Sequence, residues 1–380
     1  MSPNGAFGPV PVPPPFFVIG FLDRLLAVRF RYHGQFTMKA ARIHEYGVPE
    51  VLKLEDIPVP TPKPNEILLR VKACALNHLD LWIRQGMPKV KTLPHILGSD
   101  ISGEVAEVGE LCWRVKPGQR VLLAPGVSCR QCEYCVSGLD NQCRQYTLFG
   151  SGVLGGNREF MTAPEYAVVP IPDSLGFEEA AAAPLVFLTA WHMLFGRAGL
   201  QAGEDVLVLA ASSGVGMAAI QIAKLFHCRV IATAGGEAKL AKAKALGADH
   251  VIDHYSQDIS AEVKKITEKR GVDVVFEHVG AATWPKSVES LAANGRLVTC
   301  GITTGYDVKL DLRPLFTKQQ SLLGSFMGTL GELHRVLKFV FNGKLKPVVD
   351  RVFPMTEIAE AHRHLENKEQ FGKVVVLPEK

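Results

Sequence analysis

The chain is 380 residues long, roughly two to three times the usual single-domain size, which predicts two domains with separate cores and excludes a peptide-scale scaffold. Its 42 Lys and Arg against 38 Asp and Glu leave a net charge of +4, too mild and dispersed for a nucleic-acid or anionic-membrane partner, so the expected partner is a small molecule. Hydrophobic content of 47% with 21% charged is ordinary globular usage, and the longest charge-free stretches, 180–196 and 206–223, are broken by Gly, Ser or Pro, so no transmembrane span is expected.

Residues 1–37 differ from the rest: a proline-rich opening, then an apolar stretch with scattered arginines. They read as an extension outside the fold, with the first domain starting at Met38. From there MKAARIHEY, EILLRVKACALN, ISGEVAEVG and QRVLLA are apolar or β-branched runs separated by Gly and Pro, which predicts a mostly-β, barrel-like domain over 38–170. Over 171–329 short apolar strands alternate with helical stretches: VLVLA, GMAAIQIAKLF, RVIATA, KLAKAKALG, HVID, AEVKKIT, DVVFEHV and RLVTCG. Such alternation specifies a parallel sheet with crossover helices, hence an α/β chain. The remainder, 330–380, has helical periodicity and a closing strand KVVVL but no dinucleotide signature, and is expected to return to the first domain.

Two motifs carry chemistry. Cys129, Cys132, Cys135 and Cys143 fall in one turn-rich loop, near 126–146, of a chain with only eight cysteines. Thiolates at that spacing wrap a tetrahedral Zn²⁺; an iron–sulfur cluster or two disulfides are the alternatives. A closed four-sulfur shell leaves no place for water, so the expected zinc is structural, and clustered thiols point to a reducing, cytoplasmic setting. The second motif is the strand 206–210 running into Ala211-Ser212-Ser213-Gly214-Val215-Gly216 and a helix. Its glycines let backbone approach a pyrophosphate, whose charge is held by the exposed N–H groups of the helix start. Ala211 stands where a full G-x-G-x-x-G would have its first glycine, and an unliganded tight turn is the plain alternative. The next strand ends Ile231-Ala-Thr-Ala-Gly-Gly236 without an acid to hold ribose hydroxyls, which favours NADPH over NADH; Lys239 and Tyr255 are candidates for the adenosine 2′-phosphate end, with Glu237 opposing.

These residues resemble the medium-chain dehydrogenase/reductase superfamily over essentially all of 38–380. The four-Cys loop is similar to the zinc lobe of its alcohol dehydrogenases. AASSGVG, AAAPLVFLTAWHML, VIDHYSQD and FEHVGAATWPKSVESLAANGRLVTCG are similar to its quinone reductase branch. The resemblance implies a GroES-like catalytic domain plus a Rossmann doubly wound nucleotide-binding domain, an active site between them, and a homodimer or homotetramer. It also implies Ser213, Gly214, Val215 and Gly216 at the pyrophosphate, Thr233 with Lys239 and Tyr255 at the adenosine phosphate, and Thr189, Val279, Gly280, Gly301, Phe326 and Met327 around the nicotinamide.

One departure bears on mechanism. Where zinc alcohol dehydrogenases place the Cys and the His that hold a catalytic zinc, this chain has Asn77 and, in Gly98-Ser99-Asp100, Ser99. Amide and hydroxyl do not replace thiolate and imidazole on Zn²⁺. The expectation is therefore a reductase of quinones or α,β-unsaturated carbonyls, which are electrophilic already, without a catalytic zinc. Asn77 is the candidate donor to the developing oxyanion, His78 and Asp100 are candidates for proton transfer, and an Asp80–Arg84 pair at i, i+4 is read as structural. The alternatives are an alcohol dehydrogenase with an atypical metal site using Asp100, Cys74 or His95, and an NADPH-binding protein without catalysis.

Overall fold

The structure, a computed structural model, describes residues 36–378, so nearly all of the expected N-terminal extension lies outside the described residues. The described residues build two large sheets and two small two-stranded ones. The first strand, Thr37–Ile43, pairs antiparallel with Leu52–Pro58 in a two-stranded ribbon. The seven-stranded sheet of the N-terminal half centres on Glu66–Ala75, flanked by Asp100–Val108, Arg120–Leu123 and Val168–Pro170 on one side, with Phe160–Pro164 also pairing to it. On its other side come Lys373–Leu377 and Val349–Pro354 from the far C-terminus. Gly103 marks where two strands close tightly, since a Cβ there would sit 2.1 Å from the Arg70 carbonyl oxygen.

The second sheet is parallel and six-stranded. Asp205–Val208 lies centrally, Arg229–Ala234 then His250–Asp253 lie to one side, and Val272–Glu277, Leu291–Thr299 and Ser321–Gly324 to the other. Counted from residue 205 the order is 3-2-1-4-5-6, that of a doubly wound Rossmann sheet. Its topological switch, where such folds bind ligands beyond the strands' carboxyl ends, falls between Asp205–Val208 and Val272–Glu277. Central strands are apolar on both faces because helices cover both, as with Val206, Leu207 and Val208, all fully buried. Among the described residues no helix is long and apolar enough to cross a membrane.

The return of the chain to the first sheet comes later than residue 330. The helix Leu330–Phe341 packs on the helix Pro184–Trp191, and its buried Leu333, Val336, Leu337 and Val340 join the core beneath the parallel sheet. At the other boundary, the helix Phe177–Ala181 packs on Glu66–Ala75 and Asp100–Val108. We therefore place the nucleotide-binding half at 184–344, its limits set by which sheet each helix buries its apolar face against.

Arg84 departs from the expected Asp80–Arg84 pair. Its guanidinium, almost fully buried, donates to the Gly47 carbonyl at 3.0 Å and to Glu366 at 2.8 Å, and faces His362 Nδ1 at 3.5 Å. The Asp80 carboxylate instead accepts the backbone N–H of Asn77 and of Gly98, so tertiary partners displace the local one. Burial, then the neighbouring guanidinium, lowers the pKa of His362 to about 3. Folded, it stays neutral down to that value, whereas unfolded it takes a proton near its ordinary value of 6.5. Between the two the unfolded chain binds more protons, so stability falls as pH drops from 6.5 toward 3. At pH 5 this amounts to roughly 2 kcal/mol. His362→Leu should lose less stability than the parent between pH 7 and pH 5 by about that amount, measured as urea unfolding free energies.

Candidate active site

The glycine-rich turn follows the first parallel strand at its carboxyl end. Ser213 caps the helix Gly214–Leu225, its Oγ accepting the Gly216 N–H at 2.9 Å. A Cβ on Gly216 would lie 2.4 Å from the Ala210 carbonyl oxygen, so this glycine is required for close helix–strand packing. The left-handed residue of the turn is Ala210, at φ +47°, rather than a glycine. With Val215 half-exposed behind Gly214, the turn presents backbone N–H groups at a helix start, a cradle that fits a pyrophosphate.

The other cofactor candidates gather at the same sheet end. Val279 and Gly280 follow the fourth parallel strand, and the fully buried carboxylate of Glu277 fixes them by accepting their N–H groups at 2.6 and 3.1 Å, along with the hydroxyls of Thr283 and Ser287. Gly301 sits where a Cβ would press on the His278 carbonyl oxygen. Thr189 meets Met327 at 4.0 Å, and Phe326 is exposed beside Tyr146. His192 is held by the Glu332 carboxylate at 2.9 Å. At the adenosine end, Tyr255 lies over Gly235, where a Cβ would come within 2.3 Å of its ring. Lys239 donates to the Lys368 carbonyl. Thr233 is buried and accepts the Ala210 N–H on its hydroxyl at 3.1 Å, supporting the turn from beneath.

Asn77 precedes the helix His78–Arg84 and is nearly buried. Its Nδ2 donates to Asp100 at 3.0 Å, and its Oδ1 accepts from the Lys373 ammonium at 2.6 Å. Lys373, itself buried, also donates to the same Asp100 oxygen at 2.9 Å, while the other oxygen accepts the Leu185 N–H at 2.8 Å. The two Asp100 oxygens are thus engaged by a cation, an amide and a helix-start N–H. His78 lies alongside, its pKa lowered to about 4 by burial, with His278 and Lys373 adding to it, so its imidazole is neutral near pH 7. Ser99 donates to the Phe149 carbonyl at 2.6 Å. His95 Nε2 faces the Gly150 carbonyl at 3.1 Å, and burial pushes the Cys74 thiol well above its ordinary value.

Lys373, Glu277 and His278, whose Nε2 lies 2.9 Å from the Leu209 carbonyl oxygen and 3.3 Å from Ser213 Oγ, were not singled out from the sequence. The available signal for Lys373 was a charge directly ahead of the apolar run VVVL, which had to be buried against a counter-ion. Glu277, ending an apolar strand, carried the same signal.

In the loop of 129–143 the four cysteine sulfurs lie within 4.8 Å of one another, with Cys129–Cys143 at 3.5 Å and Cys129–Cys135 at 3.9 Å. A tetrahedral ion with Zn–S bonds of about 2.3 Å sets its ligands roughly 3.8 Å apart, so the four thiols fit zinc. Backbone N–H groups of Gln131 and Cys132 lower the Cys129 thiol to about 6, already toward thiolate. Among the described residues no other group brings three His, Cys or acidic ligands together. The lobe docks on the nucleotide-binding half through Asn141, which donates to the Phe326 carbonyl, and Asp140, which accepts the Leu330 N–H.

The comparisons with known proteins follow this geometry. Family profiles described as "Alcohol dehydrogenase GroES-like domain" and "Zinc-binding dehydrogenase" match residues 63–173 and 214–342. Quinone oxidoreductase of Homo sapiens is 31% identical over 353 residues, covering 90% of this chain and 99% of its own. The chain belongs to the medium-chain dehydrogenase/reductase superfamily. As a member of it, the protein is an oxidoreductase with a GroES-like and a Rossmann domain. A NAD-dependent alcohol dehydrogenase of Sulfolobus acidocaldarius is also 31% identical, over 350 residues, covering 89% of this chain and 99% of that one. Among solved structures, a protein described as NAD-dependent alcohol dehydrogenase superposes with a TM-score of 0.87 at 47% identity, covering 90% of this chain and 99% of that one. The crotonyl-CoA carboxylase/reductase AntE in complex with NADP gives a TM-score of 0.84 at 26% identity, covering 90% and 96%.

Because thiolates packed this closely repel without a cation, stripping zinc with a chelator should release about one metal per chain and lower the melting temperature. Elemental analysis paired with thermal unfolding checks both.

Proposed function

We propose that the protein is an NADPH-dependent reductase of quinones or α,β-unsaturated carbonyls that uses its zinc structurally. The observation supporting this reading is the donor set around Asn77: an amide, a carboxylate and an ammonium in mutual hydrogen bonds. An ammonium already neutralises the carboxylate, and Ser99 is engaged by a carbonyl, so these groups suit hydrogen bonding to a substrate better than binding a metal ion. The four cysteines would hold zinc and supply folding free energy to their lobe. When bound, the dinucleotide supplies a hydride to an electrophilic carbon.

The protein's part is to seat and polarise. The glycine-rich turn receives the pyrophosphate, and Val279, Gly280 and Gly301 leave backbone room for the nicotinamide end. Asn77 Nδ2 carries two hydrogens. One is engaged by Asp100; the other makes a long 3.5 Å hydrogen bond to the Ala75 carbonyl, which a substrate oxygen collecting charge would displace. The enolate or phenolate left by hydride transfer takes its final proton from water; His78, neutral, relays that proton by giving up its ring N–H while its other nitrogen takes one from water. The Asp100 carboxylate acts through its hold on Asn77 and Lys373.

NADPH is supported by Lys239 and Tyr255 flanking the end of the second parallel strand. A second reading, NADH, is favoured by Asp253, whose carboxylate accepts the Tyr255 N–H at 3.0 Å close to the same end, and by the solved NAD-dependent relative. We also infer a homodimer or homotetramer formed through the exposed edge strand Ser321–Gly324, led into by exposed Tyr306, Leu312 and Phe316, and a reducing, cytoplasmic setting in keeping with eight free cysteines.

Oxidation of NADPH should proceed with quinones or enones and not with simple aldehydes. Turnover of alcohols or aldehydes with two zinc ions per chain would instead make the protein a zinc alcohol dehydrogenase. Asn77→Ala should lower kcat on the productive substrate by roughly 100-fold, the usual loss for one oxyanion donor. Separately, Lys239→Ala should raise the Michaelis constant for NADPH and leave that for NADH unchanged; equal effects on both would favour the NADH reading.

A further inference from the structure

We infer that Lys373 is a positioning residue: its buried ion pair with Asp100 locks the Asn77 amide in the one orientation that points an N–H at the substrate. The inference rests on the role proposed for Asn77. An asparagine amide presents a carbonyl oxygen on one side and an NH₂ on the other, with nearly identical shape, so packing alone does not choose between the two flips. Here the partners choose. Lys373 has donors only and ionised Asp100 has acceptors only, and they flank the amide at 2.6 and 3.0 Å. Flipping it would set NH₂ against ammonium and carbonyl against carboxylate in a buried site, where an unsatisfied or repelled polar group is costly.

The ion pair is itself fixed in place. Asp100 is fully buried and Lys373 is 3% exposed, so neither charge is screened by solvent, and loss of one leaves the other uncompensated. Asp100 is further held by the Leu185 N–H. Lys373 starts its strand immediately after Gly372, whose N–H donates to the Ser212 carbonyl in the glycine-rich turn at 2.9 Å. Its side chain runs so close to Gly214 that a Cβ there would lie 3.0 Å from the Lys373 Cδ. One short C-terminal segment therefore ties the dinucleotide cradle to the group that polarises the substrate. The residues that meet are 23 and 296 positions from Asn77 in the chain.

A double-mutant cycle on the full-length protein tests this, with Lys373→Met, Asn77→Ala and the double variant compared by single-turnover decay of the reduced dinucleotide at saturating concentration, enzyme in excess, so that slow variants are still read. If Lys373 acts through Asn77, Lys373→Met alone slows hydride transfer by roughly 10- to 100-fold, and adding it to Asn77→Ala changes the rate less than about twofold. Losses that multiply overturn the inference and make Lys373 an independent contact or a structural residue. A Lys373→Met effect confined to dinucleotide affinity, with the saturated rate unchanged, overturns it as well. If the Met variant does not fold, Lys373→Gln, which removes the charge and keeps a donor, carries the same cycle. Parent protein that reduces neither quinones nor enones overturns the reductase reading and this inference with it, whereas turnover with multiplying losses overturns the inference alone.

Discussion

A positive charge buried almost completely must find a negative one, and the neutralisation of Lys373 by Asp100 is the constraint around which the site is organised. Satisfying it draws together the closing strand Lys373–Leu377, the strand that begins at Asp100 and, through Leu185, the first turn of a helix packed under the parallel sheet. Asn77 lies between the two charges and takes its orientation from them. The catalytic and nucleotide-binding halves thus meet at a polar seam set beside an apolar core that both share. Such a seam adds little to stability by itself but tolerates only one arrangement, because every alternative leaves a buried charge or amide without a partner.

The cradle for the dinucleotide is set by a different constraint, the exclusion of atoms. Gly216 has backbone where a side chain would be, and Gly214 has Val186 and Lys373 there. What remains is a helix start, its Gly216 N–H capped by Ser213 Oγ, that suits a phosphate. Glu277 performs the matching service at the fourth strand, drawing the Val279–Gly280 turn tight with a carboxylate that never meets solvent. The four-thiol lobe reaches this region from the side, through Asn141 and Asp140, so a metal closing the lobe would also steady the segment holding Phe326 and Met327.

Much of this was legible in the residues. Alternating strand and helix patterns gave the parallel sheet, because crossover helices on both faces force its strands to be apolar throughout. The four cysteines announced their cluster by spacing alone, since ligands a few residues apart meet whatever the rest of the chain does. Ser213 and the glycines that follow were readable because helix capping and close backbone approach are local requirements.

What stayed hidden were the pairings that depend on distant chain. Arg84 and Asp80 have the spacing of a helical ion pair, yet each is claimed by a tertiary partner. Thr233 accepts the Ala210 N–H beneath the turn, a contact set by the register of two strands. The helix beginning at Leu330 carries an amphipathic pattern that fits either half, and only packing assigns it. Short-range geometry thus makes the fold class, the four-thiol cluster and the glycine-rich turn readable from the residues. Only the folded chain sets an ammonium 296 residues away against Asn77, because burial makes electrostatic partnership compulsory and the fold, not the chain order, decides who is near.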